Sequence, residues 1–61
     1  MNAQLVAIQA AIAAAQARIA AMRAANQFAA MQGYTAPYGE GHFLAEAHHL
    51  DALSIEARNA A

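Results

Sequence analysis

Residues 33–41, GYTAPYGEG, decide the fold of this 61-residue chain. The stretch holds all three glycines and the single proline of the sequence. These residues interrupt helices, because glycine loses much conformational entropy on folding and proline lacks an amide hydrogen. A connection this short between two helix-forming segments favours an antiparallel hairpin. The sequence therefore predicts an all-α fold, with residues 1–61 forming a single helical-hairpin domain.

The segment before this connection predicts a long helix over residues 3–32. It contains no glycine or proline and is dominated by Ala, Gln, Arg and Met, which have high helix propensity. Asn2 is a typical N-cap residue, because its side-chain oxygen can accept a hydrogen bond from a free amide of the first turn. Gly33 suits the position just after the helix, where the backbone often turns left-handed. At about 1.5 Å per residue, this helix is roughly 45 Å long.

The segment after the connection predicts a shorter helix over residues 42–59. Arg58 near its end is favourable for the helix dipole. Apolar and small residues recur at intervals of four and three, which predicts one buried face. That predicted face consists of Phe43, Ala47, Leu50, Ser54 and Ala57, widened by Leu53 and Ala60.

The large apolar residues of the first helix form a heptad seam. Spacings of three and four place them on one side of the helix, as in a coiled coil. With Ala15 between them, the predicted interface residues of this seam are Leu5, Ile8, Ile12, Ile19 and Met22. Asn26 continues the seam and has two interpretations: it pairs across a symmetric interface, or the seam ends there and its side chain is solvated.

The unequal helix lengths predict an overhang. We expect the second helix to cover the C-terminal two thirds of the first, leaving Leu5, Val6, Ile8 and Ile12 bare. An exposed apolar surface of that kind marks an interface. The simplest expectation is a homo-oligomeric helical bundle, a dimer or higher, in which two hairpins related by a two-fold axis form four helices. The same surface could also contact a larger protein assembly.

The other side of the first helix carries alanine where an ordinary amphipathic helix carries charged residues. We expect this side to be buried as well, because many alanines with few charges form a poorly solvated surface. The alternative is that alanine serves only as a good surface helix former. The residues of this side are Ala3, Ala7, Ala10, Ala14, Ala17, Ala21, Ala24, Phe28 and Met31.

Charge and composition exclude several classes of function. Three arginines, no lysine and a net charge of −1 argue against a nucleic-acid partner, which requires clustered positive charge. The absence of cysteine excludes disulfides and zinc–thiolate sites. Polar residues such as Gln9, Gln16, Arg18 and Arg23 interrupt the first helix, so a membrane span is not expected. Without a basic N-terminal region there is no visible signal peptide, and we expect a cytoplasmic or virion-associated protein.

One group of residues has metal-ligand chemistry. His42, Glu46 and His49 occupy positions i, i+4 and i+7, on one face of the second helix, and could bind zinc or nickel. The first helix supplies no carboxylate, so a di-iron site is not expected. The alternative is that these are partly exposed histidines near a helix start, with His49 interacting with Glu46.

The aromatic residues of the connection are the candidate ligand site. Tyr34, Tyr38 and Phe43 could line a pocket at the hairpin tip or between subunits, with Arg23 as an anion partner for a nucleotide-like ligand. The alternative is that these rings cap the open end of a bundle. No nucleophile lies at a useful spacing from a base, so neither enzymatic activity nor a cofactor is expected.

Two classes of function therefore compete, with metal binding as a third. The first is a small, self-associating structural or interaction protein. The second is a protein that binds or sequesters a small ligand in pockets between subunits. The alanine-rich, lysine-free composition is typical of high-GC bacteria and their phages, which suggests an accessory protein or a virion component.

Overall fold

The computed structural model describes residues 2–60 and contains two α-helices. Helix α1 spans Ala3–Met31 and helix α2 spans Glu40–Ala60. They pack against each other, and residues 32–39 connect them. Contacts between distant parts of the chain show that they run antiparallel: α1 begins beside the end of α2. The all-α hairpin predicted from the sequence is confirmed.

A glycine-dependent turn ends α1. Gly33 has φ 77°, the left-handed conformation that the sequence predicted for this position. Its N–H donates to the carbonyl of Ala30 at 3.1 Å, and the N–H of Tyr34 donates to the carbonyl of Ala29 at 2.8 Å. These two bonds form a Schellman motif, which satisfies carbonyls that the end of a helix would otherwise leave free.

The start of α1 is capped by Asn2, as predicted. Its Oδ1 accepts a hydrogen bond from the N–H of Leu5 at 3.1 Å. Its Nδ2 donates to the carbonyl of Ala60 at 2.8 Å, so the end of α2 reaches the first residues of α1. The predicted overhang at this end is therefore wrong: Ile8 is only 6% exposed, and Leu5 and Ile12 are half-buried. Of the four residues expected to be bare, only Val6 is exposed, because it points away from α2.

Asn26 explains why the overhang is absent. Its Nδ2 donates to the carbonyl of Tyr38 at 2.8 Å, and the N–H of Tyr38 donates to its Oδ1 at 3.0 Å. The connection therefore runs back along α1, and α2 begins beside Asn26 instead of beside Met31. The expected solvation of Asn26 is wrong, because its half-buried side chain is paired within its own chain. Its pairing across a symmetric interface stays a prediction.

Helix α2 begins two residues earlier than predicted. The carbonyl of Gly39 accepts hydrogen bonds from the N–H groups of His42, at 3.1 Å, and Phe43, at 3.4 Å. Gly41 was expected to lie outside the helix, but it falls in the first turn. Glu40 is also favourable there, because a negative charge stabilises a helix N-terminus.

The core between the helices is a single line of small and medium residues. The buried residues of α1 are seven apart, and the only buried residue of α2 within the described part of the chain is Leu53. The face of α2 turned towards α1 is centred on Leu53, so the predicted core positions Ala47 and Ser54 are exposed and that part of the prediction is wrong. The core consists of Ile8, Ala15, Met22, Ala29 and Leu53.

The hairpin is one helix layer thick. Its Cα atoms extend 48 × 19 × 9 Å, and the radius of gyration is 14.7 Å. A compact chain of this length would have a radius of gyration of about 10.5 Å. The exposed surface is 4430 Å², whereas a compact monomer of this mass exposes about 3800 Å².

The Asn26→Ala variant should unfold more readily. It removes two hydrogen bonds and leaves both backbone groups of Tyr38 without these partners, so we expect a loss of about 1–3 kcal/mol in the free energy of unfolding. Urea denaturation followed by circular dichroism at one fixed protein concentration measures this loss. The neighbouring exposed Gln27→Ala is the control. Equal stability of the two variants would contradict the assigned role.

Candidate interaction surface

The two broad faces of the hairpin follow from the helical repeat. The positions of each helix that face the other helix repeat every seven residues, through Ile8 and Met22 on α1 and through Glu46 and Leu53 on α2. Residues four positions after a facing position lie on one flank of a helix, and residues three positions after it lie on the other. Because the helices are antiparallel, equal offsets on α1 and α2 share one broad face. We call these the front face, from the +4 positions, and the back face, from the +3 positions.

The back face carries most of the polar chemistry. Its central feature is the ion pair between Arg18 of α1 and Glu46 of α2. Nε donates to Oε1 at 2.8 Å, and Nη2 donates to Oε2 at 3.1 Å, so the pair is bidentate. The +3 positions of this face on α2 are His42, His49 and Glu56.

This ion pair changes the protonation equilibria of both partners. The hydrogen bonds from Arg18, with its positive charge and the nearby His49, hold the pKa of Glu46 below its ordinary value of 4.5, although partial burial opposes the shift. The same hydrogen bonding raises the pKa of Arg18. The bridge is solvent-accessible, and surface pairs of this kind stabilise proteins only modestly.

The predicted metal ligands are not assembled into a metal site. Within residues 2–60, no group of three His, Asp or Glu side chains has a geometry that could hold a metal ion. Both carboxylate oxygens of Glu46, the predicted central ligand, accept hydrogen bonds from Arg18. His42 instead packs edge-on against Tyr38, with ring centroids 5.4 Å apart and an interplanar angle of 89°.

The front face carries five large apolar residues that are half-buried between the helices. Its +4 positions are these five residues together with Asn26 and Ala57. All seven side chains are half-buried by the neighbouring helix. Three of the five predicted interface residues lie here, whereas Ile8 and Met22 are covered by α2. Sequence reasoning missed that α2 contributes to the same surface. The large residues of the front face are Leu5, Ile12, Ile19, Phe43 and Leu50.

The predicted ligand residues do not form a pocket in the hairpin. Residues 2–60 enclose no cavity. Tyr34 is 71% exposed, and Tyr38 and Phe43 are half-buried. Arg23 is exposed on α1 without an ion pair to any described residue. Ligand binding in a pocket between subunits stays a prediction.

The alanine side of α1 is exposed in the hairpin. It lies opposite α2, and its residues from Ala3 to Met31 all face outward. Its large side chains are at the C-terminal end, where Phe28 is 64% exposed and Met31 80%, and the neighbouring Val6 near the start of α1 is 43% exposed. A single chain therefore does not cover this side, and its predicted burial stays a prediction.

Helix α1 also meets the length and composition of a membrane span. Its most apolar 18-residue window has a mean hydropathy of 1.6, and 17% of that window is buried in the hairpin. These properties are shared by membrane helices, by N-terminal signal sequences and by core helices of soluble proteins. Length and hydropathy alone therefore do not assign the role of α1.

Comparison of the chain with family models, with curated proteins and with solved structures finds no match.

The Arg18–Glu46 pair predicts a specific acid dependence of stability. Folding lowers the pKa of Glu46, so its contribution is present above about pH 4.5 and is lost as the pH falls through the lower folded pKa. The stability difference between wild type and Glu46→Gln should be positive at pH 7 and shrink towards zero in acid. Urea titrations between pH 7 and pH 3 measure this difference.

Glu56→Gln is the control for that titration, because the described residues show no ion pair for Glu56. Its stability difference from wild type should vary less with pH. A Glu46→Gln difference that stays constant from pH 7 to pH 3 would contradict the assigned role of the pair.

Proposed function

We propose that this chain is a small, self-associating helical interaction protein whose working form is a homo-oligomeric bundle. The observation that carries the proposal is the single-layer shape of the hairpin. Stable domains pack at least two layers of secondary structure around a core. This chain has one layer, 9 Å thick by its Cα atoms, and its exposed surface exceeds that of a compact chain.

The core of one hairpin is too small to stabilise it strongly. Two of the five buried residues are alanine, which contributes little apolar area. Domains of this size usually depend on disulfides, a metal or oligomerisation. The sequence has no cysteine. A second copy of the chain supplies the missing apolar contact, and a net charge of −1 offers little repulsion against it.

The contacts of α1 favour self-association over membrane insertion. Helix α2 accompanies α1 from Asn26 to Asn2, so insertion of the hairpin would also bury the charged residues of α2. Asp51 and Arg58 are both exposed there. A charged residue at the centre of a bilayer costs about 2.5–3.5 kcal/mol on insertion scales. An aqueous bundle leaves these charges in water.

Self-association predicts a mass well above 6.4 kDa. Sedimentation equilibrium at micromolar concentrations should give a multiple of the monomer mass. The melting temperature should rise by roughly 5 °C for each tenfold increase in concentration, because association stabilises only the folded chain.

A monomer at 100 µM as well as at 1 µM, with an unchanged melting temperature, would overturn the proposal. Flotation with phosphatidylcholine vesicles separates the membrane alternative. The self-associating protein should stay in the aqueous fraction, whereas flotation of most of the protein would favour membrane insertion.

A further inference from the structure

We infer that the second copy docks on the front face, the broad face that carries Leu5, Ile12, Ile19, Phe43 and Leu50. This inference rests on the proposed self-association and names its surface. It differs from the seam predicted from the sequence, because Ile8 and Met22 are already covered by α2. The other three residues of that seam combine with side chains of α2 that the sequence did not assign to an interface.

The register of the hairpin brings these residues into layers. Asn26 contacts Tyr38 and Arg18 contacts Glu46, a shift of eight residues on each side. Counting from these contacts, Ile19 lies within one helical turn of the level of Phe43, and Ile12 within one turn of the level of Leu50. Leu5 lies at the level of the last turn of α2. The front face therefore presents apolar side chains along its whole length.

The two broad faces differ in chemistry, which indicates which one is covered. The back face holds the Arg18–Glu46 pair together with His42, His49 and Glu56. Burying these groups would cost desolvation free energy without new partners. The +4 positions of the front face contain no charged residue. Arg23 follows the buried Met22 and points outward from this face, as do Gln9 and Gln16 at the equivalent positions earlier in α1. The charged Arg23 and Glu40 lie near the connection, at the end of the front face, where solvent can reach them.

The area of the front face matches the need of a stable dimer. Cα extents of 48 × 19 Å give each broad face roughly 900 Å², and a standard interface buries about 800 Å² per partner. Stacking two hairpins front to front converts one layer into two, which is the arrangement that single domains use to enclose a core. The half-buried side chains of each hairpin then become buried.

The alanine side of α1, the outer side that faces away from α2, is the competing surface for the second copy. It presents alanine over most of its length, with large side chains only at its C-terminal end. Alanine adds little apolar area, so burying this side contributes less free energy than burying Leu, Ile and Phe. Ala17→Glu, which places a carboxylate in the middle of this side, therefore tests it in the sedimentation experiment below.

Two alanines of α2 give a matched test. Ala47 and Ala45 are both exposed in the hairpin, and the residue before Ala47, Glu46, faces α1. The helical repeat directs Ala47 outward from the front face and Ala45 outward from the back face. Ala47→Glu should weaken self-association at least tenfold by sedimentation, because it places a carboxylate in the interface. Ala45→Glu should keep the mass of the wild type.

Thiol protection provides a second measurement that requires no disruption of the oligomer. The chain has no cysteine, so a single introduced thiol is the only reactive one. In the oligomer, the thiol introduced by Ala47→Cys should react with a maleimide at least fivefold more slowly than that introduced by Ala45→Cys. If Ala47→Glu loses its helical circular dichroism, this protection ratio decides the question.

The outcomes separate the inference from the proposed function. A monomeric wild type overturns both. An oligomeric wild type whose mass survives Ala47→Glu, with equal thiol reactivities, overturns only the front-face assignment. Dissociation by Ala17→Glu without dissociation by Ala47→Glu also overturns it and assigns the contact to the outer side of α1. Selective loss with Ala47→Glu supports the front face.

Discussion

The double hydrogen bond between the Asn26 amide and the backbone of Tyr38 determines the rest of this structure. It turns the connection back along α1 and sets where α2 begins. From that starting level, a helix that ends at Ala60 reaches the level of Asn2 and closes the far end of the hairpin. The same register places Arg18 opposite Glu46 and Leu53 in the core. Without these two hydrogen bonds, which we call the Asn26 clamp, the connection could extend beyond the end of α1. Helix α2 would then stop short of the start of α1, and the expected overhang would appear there.

The clamp also leaves apolar residues exposed at the end of the hairpin that carries the connection. The last turn of α1 extends past the start of α2, so Phe28 and Met31 remain largely exposed, and so does Tyr34 in the connection. Each hairpin thus has a covered end near its termini and an open end near its connection. The two ends differ because Asn26 binds the connection at a level five residues before α1 ends.

Much of the fold could be predicted from the sequence, because its signals are local. Helix propensity located both helices, the N-cap chemistry of Asn2 was recognised, and Gly33 adopts the left-handed conformation expected of a glycine there. The register was not predictable from these signals. It depends on an amide side chain that binds the backbone of a residue twelve positions away, and apolar spacing carries no trace of that contact.

The candidate site was predictable only in part, for the same reason. The seam of α1 was recognised as a contact surface, but spacing alone does not say which of its residues the second helix covers. On α2, a spacing of three and four residues is compatible with more than one buried face. Ala47 and Ser54 match that spacing as well as Leu53 does. The bidentate contact of Arg18 with Glu46 favours the observed rotation, and it also occupies a carboxylate that had been interpreted as a metal ligand.

A core built on alanine specifies alignment poorly. The buried positions of α1 are seven residues apart, and two of the four are alanine, whose small side chain makes few contacts that could fix the position of α2 along α1. Large, differently shaped core residues usually exclude such alternatives by steric mismatch. In this hairpin the discrimination falls to Asn26, which bonds the backbone of Tyr38 in the connection, and to Arg18, which bonds the carboxylate of Glu46. The apolar residues hold the two helices together, and a few polar contacts determine the position of α2 along α1.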